Sequence, residues 1–94
     1  MNSNDRPVAN PLLVLREEFD DWAVLFDPDT GNGFGLNPVS VFVFNSLDGK
    51  HILKDIHSEL CQSFDDVPEN AEKDICEFID VLIKKGYAGF EKDW

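Results

Sequence analysis

The chain has 94 residues, 43% of them hydrophobic, and carries eight Phe and two Trp. That is material for one domain with a modest core, and too little for two. Nineteen Asp and Glu against eight Lys and Arg give a formal net charge of -11, which repels phosphate backbones and anionic bilayers and so argues against nucleic acid or a membrane as partner.

Met1 to Asn10 is polar and holds no apolar segment of signal-peptide type, so residues 1–10 read as a flexible N-terminal tail. Residues 11–90 read as the single domain and 91–94 as a C-terminal tail. The longest apolar stretch, Val39 to Phe44, is far too short to span a bilayer, and a cytoplasmic protein is expected. Pro11 to Arg16 is an apolar run of strand length, and Asp20-Asp21 supplies turn chemistry after it. Trp22 to Phe26, rich in aromatic and branched side chains, is a second strand. The Asp27 to Gly33 segment is dense in turn residues, and Phe34-Gly35-Leu36 gives a short third strand. The pattern predicts a three-stranded antiparallel meander.

Asn37-Pro38 is a helix start, because Asn accepts from orphan amides and Pro at the first helical position loses no hydrogen bond. The residues that follow carry β-branched strand propensity, yet Val39, Phe42, Val43 and Leu47 also share one helical face. The cap decides for a helix, and Asp48-Gly49 stops it. A second helix runs from about Ile52 to Phe64, with Leu53, Ile56, Leu60 and Phe64 on one apolar face. After the loop from Asp65 to Asn70, a third helix runs from about Ala71 to Lys85, with Gly86 placed to cap its end. Tyr87 to Phe90 adds a short extended piece. Three strands followed by three helices make an α+β domain.

The third helix has a surplus of apolar surface. On a wheel of 100° per residue, Val81, Phe78, Ala71, Leu82, Ile75, Ile79, Ile83 and Cys76 form one arc of roughly 220°, about twice the stripe of an ordinary surface helix. Lys85 interrupts the arc near Phe78. Either this helix is central and covered from both sides, or one flank of the arc lines a groove for a partner. Both readings stay open on the pattern alone.

Catalytic and metal chemistry find little support. Gly31 to Gly35 lacks the Lys-Ser/Thr pair of a phosphate loop, and the aspartates from Asp27 fail the calcium-loop pattern, with Asn32 and Pro38 at its sixth and twelfth places. His57 and Cys61 stand one helical turn apart, but no further ligands cluster with them, and His51 has no evident partner. Cys61 and Cys76 read as two reduced thiols. No nucleophile–base arrangement is recognisable, so a non-enzymatic chain without a cofactor is expected.

From Leu36 onward the residues follow a known order: Leu36-Asn37-Pro38, Phe42, Leu47-Asp48-Gly49, Ile56, Leu60, Phe64, then Asp74, Phe78, Ile79, Leu82 and Gly86. The chain resembles the PqqD family over about Leu12 to Ala88. The resemblance implies a winged-helix-like domain that binds the leader of a ribosomally made precursor peptide and presents it to a modifying enzyme, often of the radical-SAM class. It further implies that the leader adds as a strand to the third strand, beside the third helix. The residues so marked are Phe34, Gly35 and Leu36 for backbone pairing, and Ile75, Phe78, Ile79, Val81, Leu82 and Lys85 for side-chain contact. A winged-helix domain serving only as a subunit contact is the alternative, and an open strand edge can also pair with a second copy to give a homodimer.

Overall fold

The computed structural model of the protein describes residues 4–65 and 67–90. Its main sheet joins β2 (Val14–Glu17), β3 (Ala23–Phe26) and β4 (Gly33–Leu36) in that order, all antiparallel. Side-chain alternation sets the two faces. Leu15, Leu25 and Phe34 stand in one cross-strand row, and Ala23 and Leu36 pair in the next. Ala23, Leu25 and Leu36 are buried, while Leu15 and Phe34 pack on the same core. The first hairpin turns at Asp20 and Asp21, both left-handed with φ of 54° and 65°, and Trp22 N–H bonds Phe19 O at 3.0 Å. Two left-handed centres suit the twist of a tight hairpin, and Asp tolerates that region.

The ambiguous segment after β4 is helical. In α1 (Pro38–Asn45), Asn37 Oδ1 accepts from Ser40 N–H at 2.8 Å and Pro38 opens the first turn. Val41 and Val43 are both buried although they point about 200° apart, so the helix is covered on two sides. That double cover explains why branched and aromatic residues together dominate a helix of eight residues. In α2 (Leu53–Ser63), Ile52 offers no side-chain cap; Asp55 Oδ2 reaches back to Ile52 N–H at 3.4 Å instead. Ile56 and Leu60 enter the core, and the Phe42 and Phe64 rings meet edge-on at 5.7 Å.

The wide arc of α3 (Ala71–Lys84) is divided by its surroundings. Ala71, Ile75, Ile79 and Leu82 are buried, Phe78 and Ile83 are half-buried, and Val81 is exposed. The helix ends as its glycine foretold. Gly86 has φ of 78°, its N–H bonds Ile83 O, and Tyr87 N–H bonds Leu82 O at 2.8 Å. This is a Schellman end, with Tyr87 and Leu82 both buried.

One expectation needs correction. Residues 1–10 are not wholly a tail: β1 (Pro7–Ala9) pairs antiparallel with β5 (Ala88–Phe90), Pro7 opposite Phe90 and Ala9 opposite Ala88. On its other side Ala9 N–H bonds Leu47 O at 2.9 Å and Gly49 N–H bonds Pro7 O at 3.1 Å. Asn10 then clasps the end of α3, bonding Tyr87 O through its amide and Gly86 O through Nδ2. Three residues are too few to show a strand period, and both partners lie far along the chain, so no local pattern announces this strand. Met1 to Ser3 and the tail assigned to 91–94 lie outside the described residues.

The same corner holds the second correction, since His51 has partners. Its Nδ1 lies 2.8 Å from Asp48 Oδ1, and its Nε2 lies 2.8 Å from Glu59 Oε2. With carboxylates at both ring nitrogens, the doubly protonated ring is favoured. The Asp48 hydrogen bond raises the His51 pKa above its ordinary value against the opposing effect of burial, and the Asp48, Glu59 and Asp55 charges help. Burial pulls the Asp48 carboxyl upward, but the His51 hydrogen bond, the Lys50 amide and the imidazolium charge outweigh it and hold the carboxyl low.

Two outcomes follow for stability. Gly49 has φ of 79°, and a Cβ there would stand 3.0 Å from Val8 Cγ2. Gly49→Ala therefore costs about 1–2 kcal/mol for the left-handed backbone, plus crowding. In denaturant titrations Val8→Ala should relieve the crowding and leave the backbone cost, a coupling readable from a double-mutant cycle. For His51, the raised pKa means its contribution is full below the unfolded value and is lost as pH rises through the folded value. The lowered Asp48 works oppositely, losing its contribution as pH falls. The Tm difference between the wild type and His51→Gln should peak between roughly pH 4 and 6.5 and shrink above neutrality. A difference independent of pH would remove the ionic account.

Candidate functional site

β4 is one edge of the main sheet and, among the described residues, pairs with β3 alone. An edge strand is a template for an added strand, and this edge runs beside α3. Two contacts set the direction of the run. Near one end, Lys85 Nζ stands over the Phe34 ring, 5.5 Å from its centroid. Near the other, Asn37, the residue after β4, lines a cavity with Asp74, Ile75 and Phe78 of α3. Going up β4 from Phe34 to Asn37, roughly 10 Å of strand, one descends α3 from Lys85 to Phe78. Strand edge and helix flank thus run side by side, and the cavity lies near their Asn37–Phe78 end.

The cavity has a volume of about 380 Å³ and opens to solvent. Its floor includes Val43, Leu60 and Ile75, which are buried, and its walls include Val39, Phe64, Val67 and Phe78. Asp65 and Asp74 stand among the lining, so an apolar pocket has acidic residues beside it. That volume is ample for a large apolar side chain.

The residues marked from the sequence divide into two groups. Leu36, Ile75, Ile79 and Leu82 are at most 3% exposed and belong to the core, so they hold the site in place. Phe34, Phe78, Val81, Lys85 and the Gly35 backbone present surface to it or beside it. A Cβ at Gly35 would meet nothing within 4 Å, so this glycine leaves open space. The Phe78 flank of α3 is the concave one; Val81 lies outside the cavity lining. The wall supplied by α1 and by Val67-Pro68 went unmarked. Val39 and Val43, four residues apart, apolar and on one helical face, are the available signal.

Other chemistry stays sparse. His57 Nε2 lies 3.7 Å from Cys61 Sγ, and its Nδ1 lies 4.0 Å from Glu72 Oε2. Among the described residues, no three His, Cys, Asp or Glu side chains are grouped to hold a metal ion. Cys61 and Cys76 are free thiols. Burial raises the Cys76 pKa, and Asp80 adds to it by charge and by accepting from Sγ at 3.9 Å, so this thiol resists ionisation. No described helix is long and apolar enough to cross a membrane.

Comparison with known proteins fits this geometry. Two solved structures have the same fold, each 23% identical to this chain. One, "TbiB1 in Complex with the TbiA(beta) Leader Peptide", has a TM-score of 0.70 and covers 86% of this chain and 93% of its own. The other, "Lasso peptide synthetase B1 complexed with the leader peptide", has a TM-score of 0.72, with 89% and 98% covered. No curated protein matches the chain. Residues 23–88 match the family described as "Coenzyme PQQ synthesis protein D (PqqD)", and with most of its length so matched, the chain belongs to the PqqD family.

Proposed function

We propose that this protein binds the leader of a ribosomally made precursor peptide and holds it for a separate modifying enzyme. The observation that carries this is the nearness of an open β4 edge to an apolar cavity whose lining begins at Asn37, the residue after β4. An added strand gains backbone hydrogen bonds from β4, which are indifferent to sequence. Selectivity then comes from the side chain that enters between α1 and α3, beside Val39 and Phe78. The same fold in two chains solved with leader peptides supports the assignment.

The role is non-catalytic. Binding needs no cofactor, and the Cys61 thiol, 3.7 Å from His57 Nε2, does not line the cavity. The partner that acts on the held peptide is a peptide-modifying enzyme, a radical-SAM protein in the reading that family resemblance favours, and both work in the cytoplasm. Leu36, Ile75, Ile79 and Leu82 keep the site rigid from beneath, while Phe34, Gly35, Phe78, Val81 and Lys85 meet the peptide.

The test is amide NMR of the labelled protein titrated with the leader of the precursor encoded beside its gene. Affinity is expected at about the micromolar level, near -8 kcal/mol. Shifts should concentrate at Gly33 to Leu36 and along Ile75 to Lys85. Val39→Asp and Val81→Asp alter exposed positions and should leave folding intact. The first should weaken binding tenfold or more by placing a charge at the cavity; the second should weaken it if the peptide also covers the outer flank of α3. Shifts gathered instead on α2, around Lys54 to Ser58, would refute strand addition.

A further inference from the structure

The reverse face of the main sheet is largely apolar and, among the described residues, uncovered. Val14 and Phe26 are cross-strand partners on it, as are Arg16 and Val24, and Trp22 continues the same side of β3. Trp22 is 50% exposed, Val14 52%, and Phe26 41%; Phe19 at the hairpin tip reaches 76%. On β4 this face carries only Gly33 and Gly35, opposite Phe26 and Val24, so no side chain there shields them. The strands also bound a shallow cavity of about 310 Å³, lined by Val14, Arg16, Glu18, Val24 and Phe26. Large apolar side chains gathered on one exposed face mark a contact surface.

The charges say what kind of surface fits it. Between Leu12 and Leu36 stand Glu17, Glu18, Asp20, Asp21, Asp27 and Asp29, against the single cation Arg16. Glu18, Asp20 and Asp21 sit in the hairpin tip and Asp27 and Asp29 in the β3–β4 turn, at the two ends of the apolar centre, while Glu17 pairs with Ala23 on the other face. A second copy would bring the same acidic rim from a chain of net charge -11, and the two would repel.

We infer that this face docks the peptide-modifying enzyme, through an enzyme surface with an apolar centre and a basic margin. The inference rests on the function proposed above. It adds that one three-stranded sheet serves two partners at once: the leader along the β4 edge by α3, and the enzyme on the opposite face. Peptide and enzyme are then held about one sheet apart, and neither has to leave for the other to bind.

The experiment uses the full chain, the leader, and the purified modifying enzyme encoded in the same gene cluster. Phe26→Lys places a cation at the centre of the face, and Phe19→Ser alters the exposed tip, where folding is least at risk. Both should weaken enzyme binding at least tenfold while leader affinity, read separately by titration, stays within twofold of the wild type. Enzyme binding should also fall with rising salt, with a shallower slope in Glu18→Gln. Wild-type enzyme affinity in both folded variants overturns the docking face. So does a loss of leader affinity that matches the loss of enzyme affinity, since the hairpin would then belong to the peptide site. A dimer in sedimentation that Phe26→Lys dissolves would assign the face to a second copy and overturn the inference too. Failure of the wild type to bind the leader at all is a separate result, and it strikes the proposed function rather than the docking face alone.

Discussion

The end of α3 is where the domain is tied together. Gly86 turns the chain, Tyr87 N–H returns to Leu82 O, and Tyr87 O then accepts from Asn10 N–H. Asn10 Nδ2 takes Gly86 O as well. Beyond the turn, β5 pairs with β1, and β1 in turn bonds the α1–α2 turn at Leu47 and Gly49. Without the left-handed residue at Gly86 the chain could not reverse tightly enough for β5 to reach β1. The buried spine of α3, Ala71, Ile75, Ile79 and Leu82, ends at this tie. Lys85, one residue before the glycine, is thereby held over Phe34. A cation on an aromatic face is worth only about 0.5–1 kcal/mol at an exposed site. Its structural effect is to hold the end of α3 beside β4.

Much of this was visible in the residues, and the reasons differ by element. The α3 helix was plain because fourteen residues carry a strong 3.6 period and end in glycine. The α1 helix was decided by one capping residue against six that favour a strand, and Asn37 Oδ1 does bond Ser40 N–H. The meander was legible from turn chemistry rather than from strand propensity. β1 was invisible, since its three residues are stabilised by Ala88 to Phe90 and by Leu47 to Gly49, none of them nearby in sequence. The partnership of His51 was hidden for a related reason. Asp48 is three residues away but across a turn, and Glu59 is two helical turns further along α2.

For the site, periodicity located the helix but not its usable flank. A wheel treats Ile79 and Phe78 alike as apolar, yet one is fully buried and the other lines a cavity. What separates them is the position of α1 and of the loop before α3, which no single-helix pattern contains. The exposed reverse face of the sheet escaped for a comparable reason. Val14, Trp22 and Phe26 look like ordinary strand residues until the register shows them on one side and Gly33 and Gly35 beside them.

An open strand edge and an uncovered apolar sheet face are ordinarily hazards, because either one invites pairing with another copy. Proteins usually blunt such edges with lysine, proline or a covering element. Here β4 is only four residues long and carries two glycines and no charge, so its own side chains provide no such defence. The protection is spread over the whole molecule. With nineteen acidic residues against eight basic ones, each copy repels the next at every approach, and the carboxylates nearest the sheet lie at both of its ends. Repulsion of this kind acts over about a Debye length, roughly 8 Å at physiological salt, which is enough to disfavour close contact of two acidic rims. It does not act against a neutral or basic partner. The acidity that argues against nucleic acid thus also argues against self-association through these two surfaces, and it favours neutral or basic partners there.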